Sequence, residues 1–198
     1  MMTICIEIFI KYLNFGEIAM KVTNGRLNGI KIIEPKVFKD GRGFFMESYS
    51  AKKCAEHGIN LNFVQDNHSS STKNVLRGLH YQINPGQDKI VRVTAGKVFD
   101  VVVDVRRNSP TFGQWESFVL SSENKKQVFI PKGFAHGFCV LSDHVEFLYK
   151  CSEYYSPEDE RGIIWNDPDL GIDWPVSNPE LSEKDTKYPQ LKDQSDVL

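Results

Sequence analysis

From Lys21 onward the chain alternates short apolar and polar runs with Gly, Pro, Asn and Asp punctuation, and nowhere sustains a helical period. Many short segments of period two restrict the fold to an all-β sandwich or barrel, because each has one face to bury and little length with which to bury it. GIKIIEP (29–35) and GFFMESY (43–49) flank KDGRG (39–43), whose Asp40-Gly41 pair is a hairpin signal. Further strands are expected in LNFVQDN, VLRGLHYQ, KIVRVTA, KVFDVVVDVR, GQWESFVLS, KQVFIP, FAHGFCVL and VEFLYKCS. Residues 50–57 read as a short helix, with Ser50 as N-cap and Gly58 just past its end. This succession suits a jelly roll. The C-terminal third turns rich in Pro, Asp and Gly (SPEDERG, WNDPDLG, WPVSNPELSEKD), which predicts loop and tail with one helix over residues 182–188.

A chain of 198 residues with 40% hydrophobic content is large enough to bury one substantial core. A single domain over residues 20–198 is therefore expected. Residues 1–19 stand apart as an extension. Their apolar run is cut by Glu7 and Lys11 and is too short to span a bilayer, and it lacks the cationic start and cleavage site of a secretory signal. Residues 4–10 suit a short strand, and Met20 offers a second start, so the segment reads as an upstream start or a poorly ordered extension. A net charge of −2 gives no basic footprint, so neither nucleic acid nor a membrane is the expected partner. The four cysteines, Cys5, Cys54, Cys139 and Cys151, form no CxxC pair, which argues against a disulfide framework or thiolate metal site and fits a cytoplasmic location.

Alternation also points to polar groups on strand faces. In KVFDVVVDV, Phe99, Val101, Val103 and Val105 share one face, while Asp100 and Asp104 share the other with Val98 and Val102. That second face is either the solvent face or the lumen of a barrel that holds a polar ligand. In NVLRGLHYQ, strict alternation would send Arg77 and His80 to opposite sides. Glycine inside a strand marks a bulge, and one extra residue at Gly78 would turn both side chains toward one cavity. His57, His68 and His144 read as surface or hydrogen-bonded structural histidines. In IPKGFAHGF, Pro131, Gly133 and His136 match the P-x-G-x-x-H half of the cupin signature. The other half needs H-x-H with a following Glu, whereas this chain has His80-Tyr81-Gln82, so a metal is not expected.

Taken in order, RGFFMESY, FVQDNHS, VLRGLHYQ, KIVRV, VFDVVVD, RRNSPTFGQW, IPKGFAHGF, FLYKCSEYYSP and WNDPDLGIDWP resemble the successive signatures of the dTDP-4-dehydrorhamnose 3,5-epimerase family. The resemblance implies a cupin-type jelly roll that forms a homodimer, with an N-terminal segment contributing to the partner's site. It implies conversion of dTDP-4-dehydro-6-deoxy-D-glucose to dTDP-4-dehydro-L-rhamnose with no metal or organic cofactor. Rival readings are a relative that epimerises only C3 or only C5, and a noncatalytic jelly roll that binds sugar nucleotides.

The chemistry asks for a base, a group that stabilises the enolate, and an acid on the opposite face. By resemblance His80 is the base, Asp185 its orienting carboxylate, Lys89 the cation near the C4 oxygen and Tyr149 the acid. On its own residues, Asp185 in LSEKD would be solvated tail. His136 and Asp100 match other cavity residues, and Arg77 and Arg42 match contacts to the substrate's phosphates. Glu47, Gln65, Asn67, Glu160 and Lys184 fall at substrate-contact positions, and Tyr155 and Phe38 would sandwich thymine. Arg42, Glu47 and Phe38 are expected from the partner chain. One departure is Asp88, which stands before Lys89 where the family usually carries glycine.

Overall fold

The computed structural model describes residues 20–195, so the expected extension and its short strand at residues 4–10 lie outside the described residues. A six-stranded antiparallel sheet contains β1 (Lys21–Asn24), β2 (Lys31–Glu34), β10 (Gln127–Ile130), β7 (Lys89–Ala95), β12 (His144–Cys151) and β5 (Gln65–Thr72), in that spatial order. A five-stranded antiparallel sheet runs β13 (Glu160–Gly162), β6 (Leu76–Gln82), β11 (Phe134–Val140), β8 (Lys97–Asp104), β9 (Trp115–Ser121). The expectation of an all-β jelly roll is met.

Residues with an odd number on β7 and β12, among them Val91, Val93 and Phe147, meet Val98, Val102, Phe134 and Phe138 from the other sheet in the central core. Phe138 and Phe147 stack with centroids 4.2 Å apart. Full burial of such side chains contributes about 1.5–3 kcal/mol each. The outer face of the five-stranded sheet is covered as well: Leu79, Tyr81, Val101, Val103 and Val105 pack against Ile163, Leu170 and Leu191 from the chain after β13. Both faces of β8 are therefore inside, which overturns the solvent-face reading of Asp100 and Asp104, each 0% exposed. The Pro- and Gly-rich C-terminal third is a lid over apolar strand faces.

On the outer face of the six-stranded sheet, Ile33, Ile90 and Phe129 pack with Cys54 of α1 (Ala51–Glu56) and with Ile59. The helix begins as expected, with Lys53 N–H donating to Ser50 Oγ at 3.4 Å. It ends at Gly58, whose φ of +77° suits glycine and whose N–H donates to Ala55 O. The hairpin signal also holds, but its first strand is β3 (Val37–Asp40), paired with β4 (Gly43–Met46) around Gly41 and Arg42. Pro35 has no N–H to continue a ladder and separates β3 from β2. Residues 182–188 form successive turns rather than the expected helix. Bonds from Asp185 N–H to Ser182 O and from Lys187 N–H to Lys184 O span three residues, and Pro189 disfavours helix at the residue before it. Among the described residues no helix is long and apolar enough to cross a membrane.

Candidate active site

The pairing of β6 with β11 brings Arg77 and His80 to one face. His80 lies opposite His136 and Arg77 opposite Phe138, three residues against two, so β6 carries one extra residue. Gly78 absorbs it with φ +123°, and a Cβ there would fall 2.5 Å from Gly137 Cα and 2.8 Å from His136 O. Only glycine fits so close an approach. The bulge expected from the sequence is present.

His80 Nε2 lies 2.5 Å from Asp185 Oδ1 across 105 residues of sequence. Asp185 is 2% exposed, and its own N–H meets Ser182 Oγ at 3.2 Å. Burial pushes its carboxyl up, but the hydrogen bond and charge of His80, with help from Ser182, outweigh burial and hold it below the usual carboxylate range. An ionised Asp185 accepts from Nε2–H, which leaves Nδ1 as the lone-pair nitrogen of the ring.

His80 opens on a cavity of about 280 Å³ lined by Gln65, Asn67, Gln82, Gln87, Lys89, Tyr149, Tyr155 and Glu160, with Tyr81 at its edge. Its walls come from both sheets: His80 and Gln82 from β6, and Lys89, Tyr149, Gln65 and Asn67 from β7, β12 and β5. Register does the gathering. Tyr149 pairs with Asn67 on one side and Val91 on the other, and Lys89 pairs with Cys151, so these side chains share the inner face two residues apart. On the opposite sheet Glu160 pairs with Gln82 and Gly162 with His80.

Burial pulls the Lys89 ammonium below the usual lysine value, against the opposing charges of Cys151, Glu160 and Asp100. Its Nζ stands 6.0 Å from the centroid of the Tyr149 ring. Burial also pushes the Tyr149 hydroxyl upward, reinforced by Cys151 and Glu160, so the phenol keeps its proton at neutral pH. At the mouth, Tyr155 Oη donates to Glu160 Oε2 at 2.6 Å, and Lys184 Nζ donates to the same oxygen. Tyr155 N–H donates to Gln65 Oε1, Gln65 to Asn67 Oδ1, and Asn67 to Cys151 Sγ, which links the rim to the floor.

The two aspartates of β8 diverge. Asp104 receives Arg106, Ser109 and Thr111 and organises the following turn; burial raises its carboxyl, and these donors lower it further than burial lifts it. Asp100 has His136 Nε2 at 2.8 Å, while its Oδ1 is buried without a hydrogen-bond partner. Burial raises this carboxyl, and His136 offsets only part of the rise. His136 of the cupin-like motif is thus engaged by Asp100, as His80 is by Asp185. Among the described residues no three His, Cys, Asp or Glu side chains group as metal ligands.

Arg77 is exposed, with Nε donating to Ser71 Oγ at 3.1 Å. Arg77, Asp100, His136 and Lys184 lie outside the cavity lining, and three expected residues lie in other parts of the structure: Phe38 and Arg42 sit on the β3–β4 hairpin, where Arg42 pairs with Asp40, and Glu47 pairs with Lys53 at 2.8 Å. Sequence reasoning missed Gln82 and Cys151, which alternation from His80 and Tyr149 could have found, and Gln87 and Tyr188, for which no periodic signal exists. Asp88 turns to its neighbours rather than into the cavity. Its Oδ1 accepts from Lys132 N–H at 3.2 Å, its Oδ2 from Ser152 Oγ at 3.1 Å, and its N–H donates to Ser152 Oγ at 2.9 Å. The carboxylate ties together the starts and ends of three strands beside the site.

Residues 24–193 match the family model described as dTDP-4-dehydrorhamnose 3,5-epimerase. A dTDP-4-dehydrorhamnose 3,5-epimerase of Shigella flexneri is 58% identical over 168 residues, covering 84% of this chain and 93% of the relative. A dTDP-6-deoxy-D-glucose-3,5-epimerase from Legionella pneumophila, solved with dTDP-4-keto-L-rhamnose, superposes with a TM-score of 0.86 at 55% identity, over 88% of this chain and 94% of that one. A 3'-monoepimerase from Streptomyces bikiniensis, solved with dTDP-quinovose, gives 0.81 at 35% identity, over 85% and 87% of the two chains. With two facing antiparallel sheets, a His–Asp pair opening on the cavity they line and a family match over nearly the whole described length, the chain belongs to the dTDP-4-dehydrorhamnose 3,5-epimerase family.

Proposed function

We propose that this chain converts dTDP-4-dehydro-6-deoxy-D-glucose to dTDP-4-dehydro-L-rhamnose by removing and returning protons at C3 and C5. The observation that carries the reading is the His80–Asp185 pair opening on a cavity whose facing wall holds Lys89 and Tyr149. His80 takes the proton next to the ketone, and the ionised Asp185 stabilises the imidazolium that forms. The Lys89 ammonium balances charge on the enolate oxygen, a role that preorganised donors fill best in a dry site. Tyr149, on the other sheet, returns a proton to the opposite face of the sugar. Its phenol carries the proton at neutral pH that an acid must deliver.

Around this centre, Gln65, Asn67, Glu160 and Lys184 contact the sugar, with Asp100 and His136 behind them. Arg77 meets phosphate, for which a guanidinium fork is well shaped. Tyr155 stacks on thymine. A second copy supplies Phe38, Arg42 and Glu47 from its N-terminal segment, a reading supported by the exposure of Phe44 and Phe45, each 54%, on the hairpin that carries Arg42. No metal or organic cofactor enters the reaction.

The test is incubation with dTDP-4-dehydro-6-deoxy-D-glucose in deuterated water, followed by NMR at C3 and C5. Wild type should incorporate deuterium at both carbons with inversion. Tyr149→Phe keeps base and ammonium, so it should wash deuterium in while yielding little L-configured product at the carbon Tyr149 serves. Exchange at one carbon alone in wild type would move the assignment to a monoepimerase. An unchanged ratio of exchange to inversion in Tyr149→Phe would show that another group delivers the second proton.

A further inference from the structure

We propose that Tyr188 is a positioning residue for the base: its ring, wedged between the His80 imidazole and the bare backbone of Gly162, sets the angle at which His80 faces the cavity. The inference rests on the assignment of His80 as base. One hydrogen bond to Asp185 fixes a single ring atom and leaves the imidazole free to swing about it. Tyr188 removes that freedom. The two rings meet edge to face, with centroids 5.6 Å apart and planes at 63°.

The wedge has no slack. Gly162 lies directly opposite His80 in the β6–β13 register, and a Cβ on it would fall 2.4–2.5 Å from three atoms of the Tyr188 ring. The phenol therefore lies on the strand backbone itself, with the Lys184 ammonium beside its hydroxyl.

The segment that carries Asp185 and Tyr188 is anchored at both ends. At one end Glu180 N–H donates to Asn74 O, and Leu76 N–H donates to Glu180 O, each at 3.0 Å; at the other Ile164 N–H donates to Pro189 O at 2.9 Å. Between these anchors the carboxylate and the ring reach the same histidine from one rigid span.

The experiment is a cycle of Tyr188→Ala, Gly162→Ala and the double variant, with Tyr188→Phe and His80→Asn alongside, read by deuterium wash-in and by the His80 ring N–H proton resonance. Misplacement of a reacting group by about 1 Å costs on the order of 100-fold. Tyr188→Ala should therefore lose roughly 10- to 100-fold in kcat, with KM for the sugar nucleotide within about twofold, and its ring N–H signal should broaden through solvent exchange. Tyr188→Phe should keep the wild-type rate and signal. Gly162→Ala must push the ring aside and should lose activity on its own, but in the Tyr188→Ala background the new methyl enters vacated space and should cost nothing more.

Should Tyr188→Ala fail to fold, Tyr188→Leu keeps apolar volume without the flat edge and carries the same expectation. Wild-type kcat and N–H signal in the Ala or Leu variant, or additive losses in the double variant, would overturn the positioning role while leaving the base in place. Wild-type exchange in His80→Asn would instead overturn the base, and the positioning role with it.

Discussion

Asp185→Asn keeps the shape of the dyad and deletes its charge. The imidazolium formed on proton capture has its Nε2 2.5 Å from a carboxylate that is 2% exposed. With each charge spread over its group, the centres lie about 4 Å apart, where unit charges attract by about 4 kcal/mol at an effective dielectric constant near 20. The His80 side chain is 30% exposed toward the cavity, and screening by water there leaves about 2–4 kcal/mol. At about 1.4 kcal/mol per factor of ten, kcat should fall roughly 30- to 1000-fold. The carboxamide oxygen can still accept from Nε2–H, so orientation survives, and Asp185→Ala, which loses both, should fall further. Deuterium wash-in at C3 and C5 reports the loss without depending on inversion. A rate within about threefold of wild type in Asp185→Asn would refute the claim that this carboxylate stabilises the imidazolium.

The same substitution has a signature in stability. Because Asp185 is held below its ordinary value, folding favours its ionised form, and that contribution is complete above the ordinary carboxylate range. It is lost as pH falls through the lowered value. The gap between wild type and Asp185→Asn in urea midpoint should therefore be widest near neutrality and narrow as pH falls below the ordinary carboxylate range. A gap that stays constant with pH would mean that the carboxyl is not ionised by folding.

Two further outcomes follow from the cavity floor and rim. Burial lowers Lys89, so the alkaline limb of kcat should lie below the ordinary 10.5 of lysine, and Lys89→Arg, which does not titrate there, should be slower yet lose that limb; an unmoved limb in Lys89→Arg would assign it to another group. Asp88→Gly removes the bonds to Lys132 and Ser152 and adds chain entropy, so denaturant titration should show a loss of about 1–3 kcal/mol, and an unchanged midpoint would show the clamp to be idle.

The fold was legible wherever one residue type has one physical meaning. Alternation located nine of the strands that build the two sheets, β5 only at its start, Ser50 and Gly58 bounded α1, and Gly78 announced its bulge. Alternation could not say what covers each face. The even face of β8 carries Asp100 and Asp104 and would suit solvent in a bare sheet, but the six-stranded sheet covers that face while the chain after β13 covers the other, so the aspartates lie inside. β13, three residues long, carries too few positions for a period to register. The site divides in the same way. His80 stood out through its neighbours, whereas Asp185 lies in a charged stretch and gains meaning only from a contact made across 105 residues, which no local pattern encodes. Tyr188 depends on the absence of a side chain at Gly162, a signal carried by a different element altogether.

The order in which the parts are synthesised gives that long-range contact another consequence. His80 and Tyr149 leave the ribosome well before Asp185, which follows the last strand of the five-stranded sheet. The span that holds Asp185 is bonded to the start of β6 and to the chain just after β13. A nascent or misassembled barrel therefore has its histidine but not the carboxylate that makes it a competent base. The dyad is therefore complete only when β6 and the C-terminal span are joined, so activity depends on a contact between the two distant parts of the chain.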